Sequence, residues 1–194
     1  MFIRRVFIAF TCIVLTFSWC IKGDTQNKDM IYDDFREKIN KIESYTYTAD
    51  ITAINDKSQS KYIVKHTYKK PSYYKLEVIA PSNQKGKIIE YYEDKTVIKN
   101  PQLEEVIEFP RIGNNKLYLF AGDFIQDYSL RESLKMNFYS DNQLSLERDV
   151  PNNISFSKQI LYIDRNTKNP EKMELLNIEG EKKFIIKYID FESN

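Results

Sequence analysis

The sequence predicts an α+β fold in which one curled antiparallel sheet wraps helices, and three observations carry the prediction. An apolar stripe at helical spacing comes first, a long run of two-residue alternation follows, and a second helical stretch divides the alternating segments into two groups. Turn residues recur between the alternating stretches, which suits hairpin connections between strands with one wet and one dry face.

From Asp29 to Glu43, the apolar residues Ile31, Phe35, Ile39 and Ile42 recur at spacings of four, four and three, so they share one helical face. Asp29, Asp33 and Asp34 lie toward the start of this helix and Lys38 and Lys41 toward its end, each sign favourable to the helix dipole. The period then becomes two. Tyr45, Tyr47, Ala49, Ile51 and Ala53 alternate with Thr46, Thr48, Asp50 and Thr52. Tyr62, Val64, His66 and Tyr68 form a second such series, and Tyr74, Leu76 and Val78 a third. Shorter strand candidates are Lys87–Glu93, Lys95–Lys99 and Val106–Phe109, punctuated by Pro81-Ser82-Asn83, Glu93-Asp94 and Pro101. Between Lys116 and Leu134 helical spacing returns through Leu117, Phe120, Phe124 and Tyr128, with an interruption near Gly122. Leu144–Asp149, Lys158–Asp164, Glu171–Ile178 and Lys182–Phe191 are the closing strands.

Residues 1–19 read as a signal peptide of the lipoprotein type. Arg4 and Arg5 form a positive head, and Val6–Trp19 is an apolar run too short to span a membrane but suited to a signal core. It ends at Cys20, the expected lipidation site, whose diacyl group would hold the chain at the outer face of a bacterial cytoplasmic membrane. Residues 20–28 are then a polar tether and residues 29–194 the domain. Trp19 and Phe17 are unusual beside such a cysteine, so an uncleaved anchor or ordinary secretion is the alternative.

Composition narrows the chemistry. The chain has 194 residues, 29 Lys+Arg against 28 Asp+Glu, and a single His. Loss of Arg4 and Arg5 with the signal takes the formal charge from +1 to −1, leaving no broad basic field for nucleic acid. Cys12 would leave as well, so no intramolecular disulfide is expected. One His excludes a multi-histidine zinc site and leaves His66, within strand alternation, as the lone imidazole base. A structural or surface role is expected of it. Asp123 and Asp127 lie four apart and read as one solvated helical face. Asp164-Arg165-Asn166 begins like a calcium loop, but Asn169 stands where glycine is required and Leu175 where a glutamate is, so a turn is expected. Taken together, these residues point away from an enzyme and imply no cofactor and no metal.

Two segments carry a family resemblance. The first runs Tyr68-Lys69-Lys70-Pro71-Ser72-Tyr73-Tyr74-Lys75-Leu76-Glu77, then Pro81, Tyr92 to Val97, and Asn100-Pro101. The second runs Leu161-Tyr162-Ile163-Asp164, Thr167, Pro170 to Met173, Gly180, and Phe184 to Phe191. Together they resemble the LolA-like superfamily of outer-membrane lipoprotein carriers, and within it the chain looks most like the germination lipoproteins (GerS) of spore-forming clostridia. The resemblance implies an unclosed or half β-barrel with helices on its concave side. It also implies a non-catalytic lipoprotein that binds and licenses an N-acetylmuramoyl-L-alanine amidase of the spore cortex, anchored at the forespore or spore membrane. The alternative is a carrier of lipid or lipoprotein acyl chains in the hollow. Family carriers often place an Arg where Lys70 stands here. Lys70, Tyr62, Val64, Tyr74, Leu76, Val78, Tyr91, Phe120 and Phe124 are the residues expected on the concave face or at a partner.

Overall fold

The computed structural model describes residues 27–110, 124, 134–151, 153 and 155–194. Helix α1 occupies residues 27–41, starting two residues before Asp29 and ending two before Glu43. Its buried residues Ile31, Tyr32, Phe35, Ile39 and, just past its end, Ile42 form the predicted stripe and join one core with the strands.

Among the described residues eleven strands follow. They are β1 (Ser44–Asn55), β2 (Ser58–Lys69), β3 (Tyr73–Ala80), β4 (Ile88–Tyr91), β5 (Lys95–Asn100), β6 (Glu105–Pro110), β7 (Lys135–Ser140), β8 (Gln143–Asp149), β9 (Lys158–Asp164), β10 (Pro170–Leu176) and β11 (Lys182–Ser193). All pair antiparallel in one sheet, in the order β6-β5-β4-β3-β2-β1-β11-β10-β9-β8-β7. The sheet is curved and unclosed, as expected of a half-barrel. Two meanders therefore meet along one seam, where β1 pairs with β11 from Tyr45↔Ser193 to Ala53↔Phe184. Among the described strands, β6 and β7 stand at the two ends of this order.

Register explains the alternation. Tyr45, Tyr47 and Ala49 of β1 stand opposite Tyr68, His66 and Val64 of β2, which stand opposite Tyr74, Leu76 and Val78 of β3. On the other side Leu144 and Leu146 face Ile163 and Leu161, Leu161 faces Met173, and Met173 faces Ile186. This is the inner face, on which α1 lies. Burying about a dozen large side chains here, at roughly 1.5–3 kcal/mol each, is the main favourable term in folding.

Two lysines fasten α1 across the sheet. Lys38 Nζ donates to Thr167 O at 2.8 Å and to Asn169 Oδ1 at 2.6 Å, both in the β9–β10 connection. Lys70 Nζ donates to Asn40 O at 2.9 Å and to Glu43 Oε1 at 2.9 Å, at the same C-terminal end of the helix. The connection itself is organised by Asp164. Its Oδ1 accepts from the amides of Asn166 (3.0 Å) and Thr167 (2.6 Å) and from Thr167 Oγ1 (2.9 Å). The expected turn is present, and the carboxylate oxygen a cation would use is engaged within the loop. Donation by the Thr167 amide, then by its hydroxyl and the Asn166 amide, holds the Asp164 carboxyl below its ordinary range. Asp164→Ala should cost about 1–2 kcal/mol through these lost charge-assisted bonds, read as a lower urea midpoint with an unchanged m-value. In the next hairpin, Gly180 adopts φ +83°, a left-handed backbone that glycine enters without strain.

Strand β7 is absent from the sequence reading, which assigns Leu134 to a helical stretch and resumes strands at Leu144. Met136 and Phe138 do face Leu146 and Leu144, but a bulge between Phe138 and Ser140 ends the alternation after those two residues.

Candidate functional site

The inner face is richest in aromatic rings around β1 and β2. The Tyr45 ring lies 4.8 Å from Tyr68, and the Tyr47 ring 4.6 Å from His66 and 5.0 Å from Tyr188 in an edge contact. Such pairs add roughly 0.5–1.5 kcal/mol each beyond area burial. His66 sits in the middle, 0% exposed, with Tyr74 stacked on its other side at 6.0 Å. Burial pushes its imidazole down to about 3. A neutral ring at neutral pH, closed off from solvent, is not placed to exchange protons with a substrate.

The sequence-predicted residues distribute over the hollow unevenly. Val64, Tyr74 and Phe124 are buried core residues. Tyr62, Leu76, Val78 and Tyr91 are half-buried and pack against that core, on the β2–β4 side. Lys70 stands at the corner after β2, where it holds the end of α1. Cys20, Phe120, Asp123 and Asp127 lie outside the described residues.

Sequence reasoning missed Arg148, which is 3% exposed on β8 and shares the inner face with Leu144 and Leu146. Its Nε donates to Gln159 Oε1 at 2.6 Å, its guanidinium lies 4.6 Å from the Phe124 ring, and Gln159 Nε2 lies 2.8 Å from Met173 Sδ. The signal was available, because Leu144, Leu146 and Arg148 alternate. A buried cation stacked on an aromatic and hydrogen-bonded to an amide orients the packing between β8, β9 and residue 124.

The outer face carries ionic clusters. Glu90 pairs with Lys99 at 2.5 Å and accepts from Tyr73 Oη at 2.9 Å. Lys99, against the opposing effect of burial, holds the Glu90 carboxyl down, while burial and that carboxylate together push Tyr73 up to about 12. Glu174, nearly buried, meets Lys172 and Lys182 at 2.9 Å each and accepts from Tyr162 Oη at 3.2 Å. Burial would raise its pKa, but the two ammonium groups outweigh it and lower it. These carboxylates are saturated with cations. Among the described residues no group of three His, Cys, Asp or Glu could hold a metal ion.

An antiparallel sheet curved around a helix and packed on its inner face defines a half-barrel protein. The chain belongs to the family described as YdcC-like sporulation proteins, whose model matches residues 2–194. It is 44% identical, over 86% of its length and 96% of the matched chain, to a chain of the solved complex of the CwlD amidase from Clostridioides difficile with the GerS lipoprotein (TM-score 0.57). The likeness is to GerS. An uncharacterized conserved protein from Thermus thermophilus shares the fold at 12% identity, covering 84% of this chain and 85% of that one (TM-score 0.56). A LolA superfamily protein from Nitrosomonas europaea matches at 12% identity, 86% and 93% coverage, and TM-score 0.42. Among curated protein sequences no match is found.

Proposed function

We propose that this chain is a non-catalytic, membrane-anchored lipoprotein that binds and licenses an N-acetylmuramoyl-L-alanine amidase. The chain would thereby serve the cortex modification that spore germination requires. The single observation carrying this reading is the 44% identity, across nearly the whole matched chain, to GerS in a complex with an amidase. Membership of a sporulation family supports the same developmental setting. In this reading the chain supplies surface and the chemistry stays in the partner amidase. His66, buried and neutral, and carboxylates already paired with lysines agree with that division of labour.

Carriage of acyl chains has less support, because α1 and the strand side chains fill the hollow from β3 across the seam to β8, with Phe35, Leu144, Leu161 and Met173 fully buried. Purified chain mixed with the sporulation amidase of its own cell should give a stable complex at micromolar concentration. Absence of any complex overturns the proposal. Anchoring is tested separately: Cys20→Ala should abolish partitioning into detergent, and membrane retention by that variant would mean that residues 6–19 stay as an uncleaved anchor.

A further inference from the structure

The tether enters the domain at one corner. Helix α1 starts at residue 27, so the stretch from Cys20 to the helix is seven residues long. Fully extended, such a stretch spans at most about 25 Å. If Cys20 is held in a bilayer, the side of the domain that faces lipid must lie close to the start of α1. The Lys28 ammonium stands there, 5.1 Å from the centre of the Phe138 ring on β7, and the Arg165 guanidinium lies 4.2 Å from the same ring. Arg165 also donates through its guanidinium to Asp141 O at 2.8 Å and through its amide to Asn142 O at 2.8 Å, so the β7–β8 turn and the β9–β10 connection meet at this corner. The next residue of β7, Tyr139, is 60% exposed. Its ring meets Tyr162 edge-on at 4.8 Å, and the Lys172 ammonium lies 5.4 Å from it. Met30, in the first turn of α1, is 58% exposed.

An exposed aromatic and an exposed thioether beside cations laid over ring faces suit the headgroup layer of a bilayer. Amphipathic rings settle at that depth, and long basic side chains reach the phosphates from it. Asp29, Asp34 and Asp141 lie at the same corner and offset much of its positive charge, with Asp34 3.9 Å from Lys168. The contact is therefore one of rings and apolar side chains, not of a basic field. We infer that this corner, made by the start of α1 and the tip of β7, rests in the headgroup layer of the phospholipid surface that holds the chain. Resting on the membrane anchoring proposed above, this placement adds which face of the domain meets lipid. It turns the opposite end of the sheet toward water, where the β10–β11 hairpin carries Ile178 at 84% exposure. Lys172 and Ile178 are separated by about 20 Å of extended chain.

Tryptophan fluorescence reads the two ends separately, because Trp19 is the one tryptophan of the sequence and precedes Cys20. Tyr139→Trp and Ile178→Trp are each made in the full chain, produced in cells that lipidate it, and reconstituted into phosphatidylglycerol–phosphatidylethanolamine vesicles. Emission of the parent chain, prepared alike, is subtracted. Both positions are exposed, so the thermal midpoints should stay within a few degrees of the parent. Lipids brominated near the headgroup end of their acyl chains should quench the Tyr139→Trp variant by about half or more and leave the Ile178→Trp variant unquenched. The quenching should persist at high salt, as expected of a contact that no basic field sustains. Equal quenching at both positions, or none at 139, in a chain that floats with the vesicles overturns this placement while anchoring stands. Quenching that disappears in salt overturns the apolar mode of contact. A chain that stays in the aqueous phase brings down the anchoring and this placement together, and amidase binding in solution is unaffected by either outcome.

Discussion

Phe35→Ala should remove about 3–5 kcal/mol of folding stability, the cost expected when a large aromatic is deleted from a site that cannot collapse around the void. Phe35 is 0% exposed at the centre of the α1 stripe, between Ile31 and Ile39, and belongs to the core formed with the strands of both meanders. The C-terminal end of α1 is held by Lys38 and Lys70, which limits how far the helix can sink into the space left behind. For a domain of ordinary stability the loss is a third or more of the total. Met30 provides the control on the same helix: at 58% exposure, Met30→Ala should change stability by less than about 0.5 kcal/mol. Urea denaturation of the three proteins checks both numbers. A loss below about 1 kcal/mol for Phe35→Ala would mean that α1 is not anchored on the sheet as described.

The second large effect is a loss of stability in acid that depends on one residue. In the unfolded chain a histidine titrates near its ordinary value of 6.5, whereas in the folded protein burial lowers His66 to about 3. Between those values the unfolded state binds a proton that the native state refuses. The contribution is therefore fully present above pH 6.5 and is lost progressively as pH falls toward 3, with a slope approaching about 1.4 kcal/mol per pH unit. Carboxylates lowered by ion pairs, such as Glu90 and Glu147, add their own losses at the acid end of the window. Replacing His66 separates the two. His66→Phe keeps a flat ring between Tyr47 and Tyr74 and has nothing to protonate, so its stability should be nearly independent of pH from 6.5 to about 5. Equal slopes for parent and variant in that interval would show that His66 does not carry the effect.

How much of this was legible in the sequence varies by element. The α1 stripe and the long strands β1, β2 and β3 were plain, because each buries alternate or helically spaced residues over many positions. Strand β7 was not, since only Met136 and Phe138 point inward before the bulge, and two residues do not establish a period. The pairing of β1 with β11 was invisible for a different reason. Alternation says which face a strand buries, but it does not name the neighbour on either side. For the site, the inward side of His66, Val64 and Tyr74 followed from register, while the depth of His66 depended on the rings around it. Arg148 was overlooked because a charge in an alternating series reads as the wet face, and here it occupies the dry one, covered by Phe124.

The seam also has a bearing on how the chain folds. Within each meander every strand pairs with its sequence neighbour, so those hairpins close short loops and can form early. Only β1 and β11 must find each other across nearly the whole chain, as Thr48 does with Ile189. The loop-closure entropy of that encounter must be met before its ladder gives anything back. Folding should thus be limited by the meeting of two preformed halves, with substitutions along β1 and β11 slowing the search and substitutions at β6 or β7 chiefly hastening the reverse step.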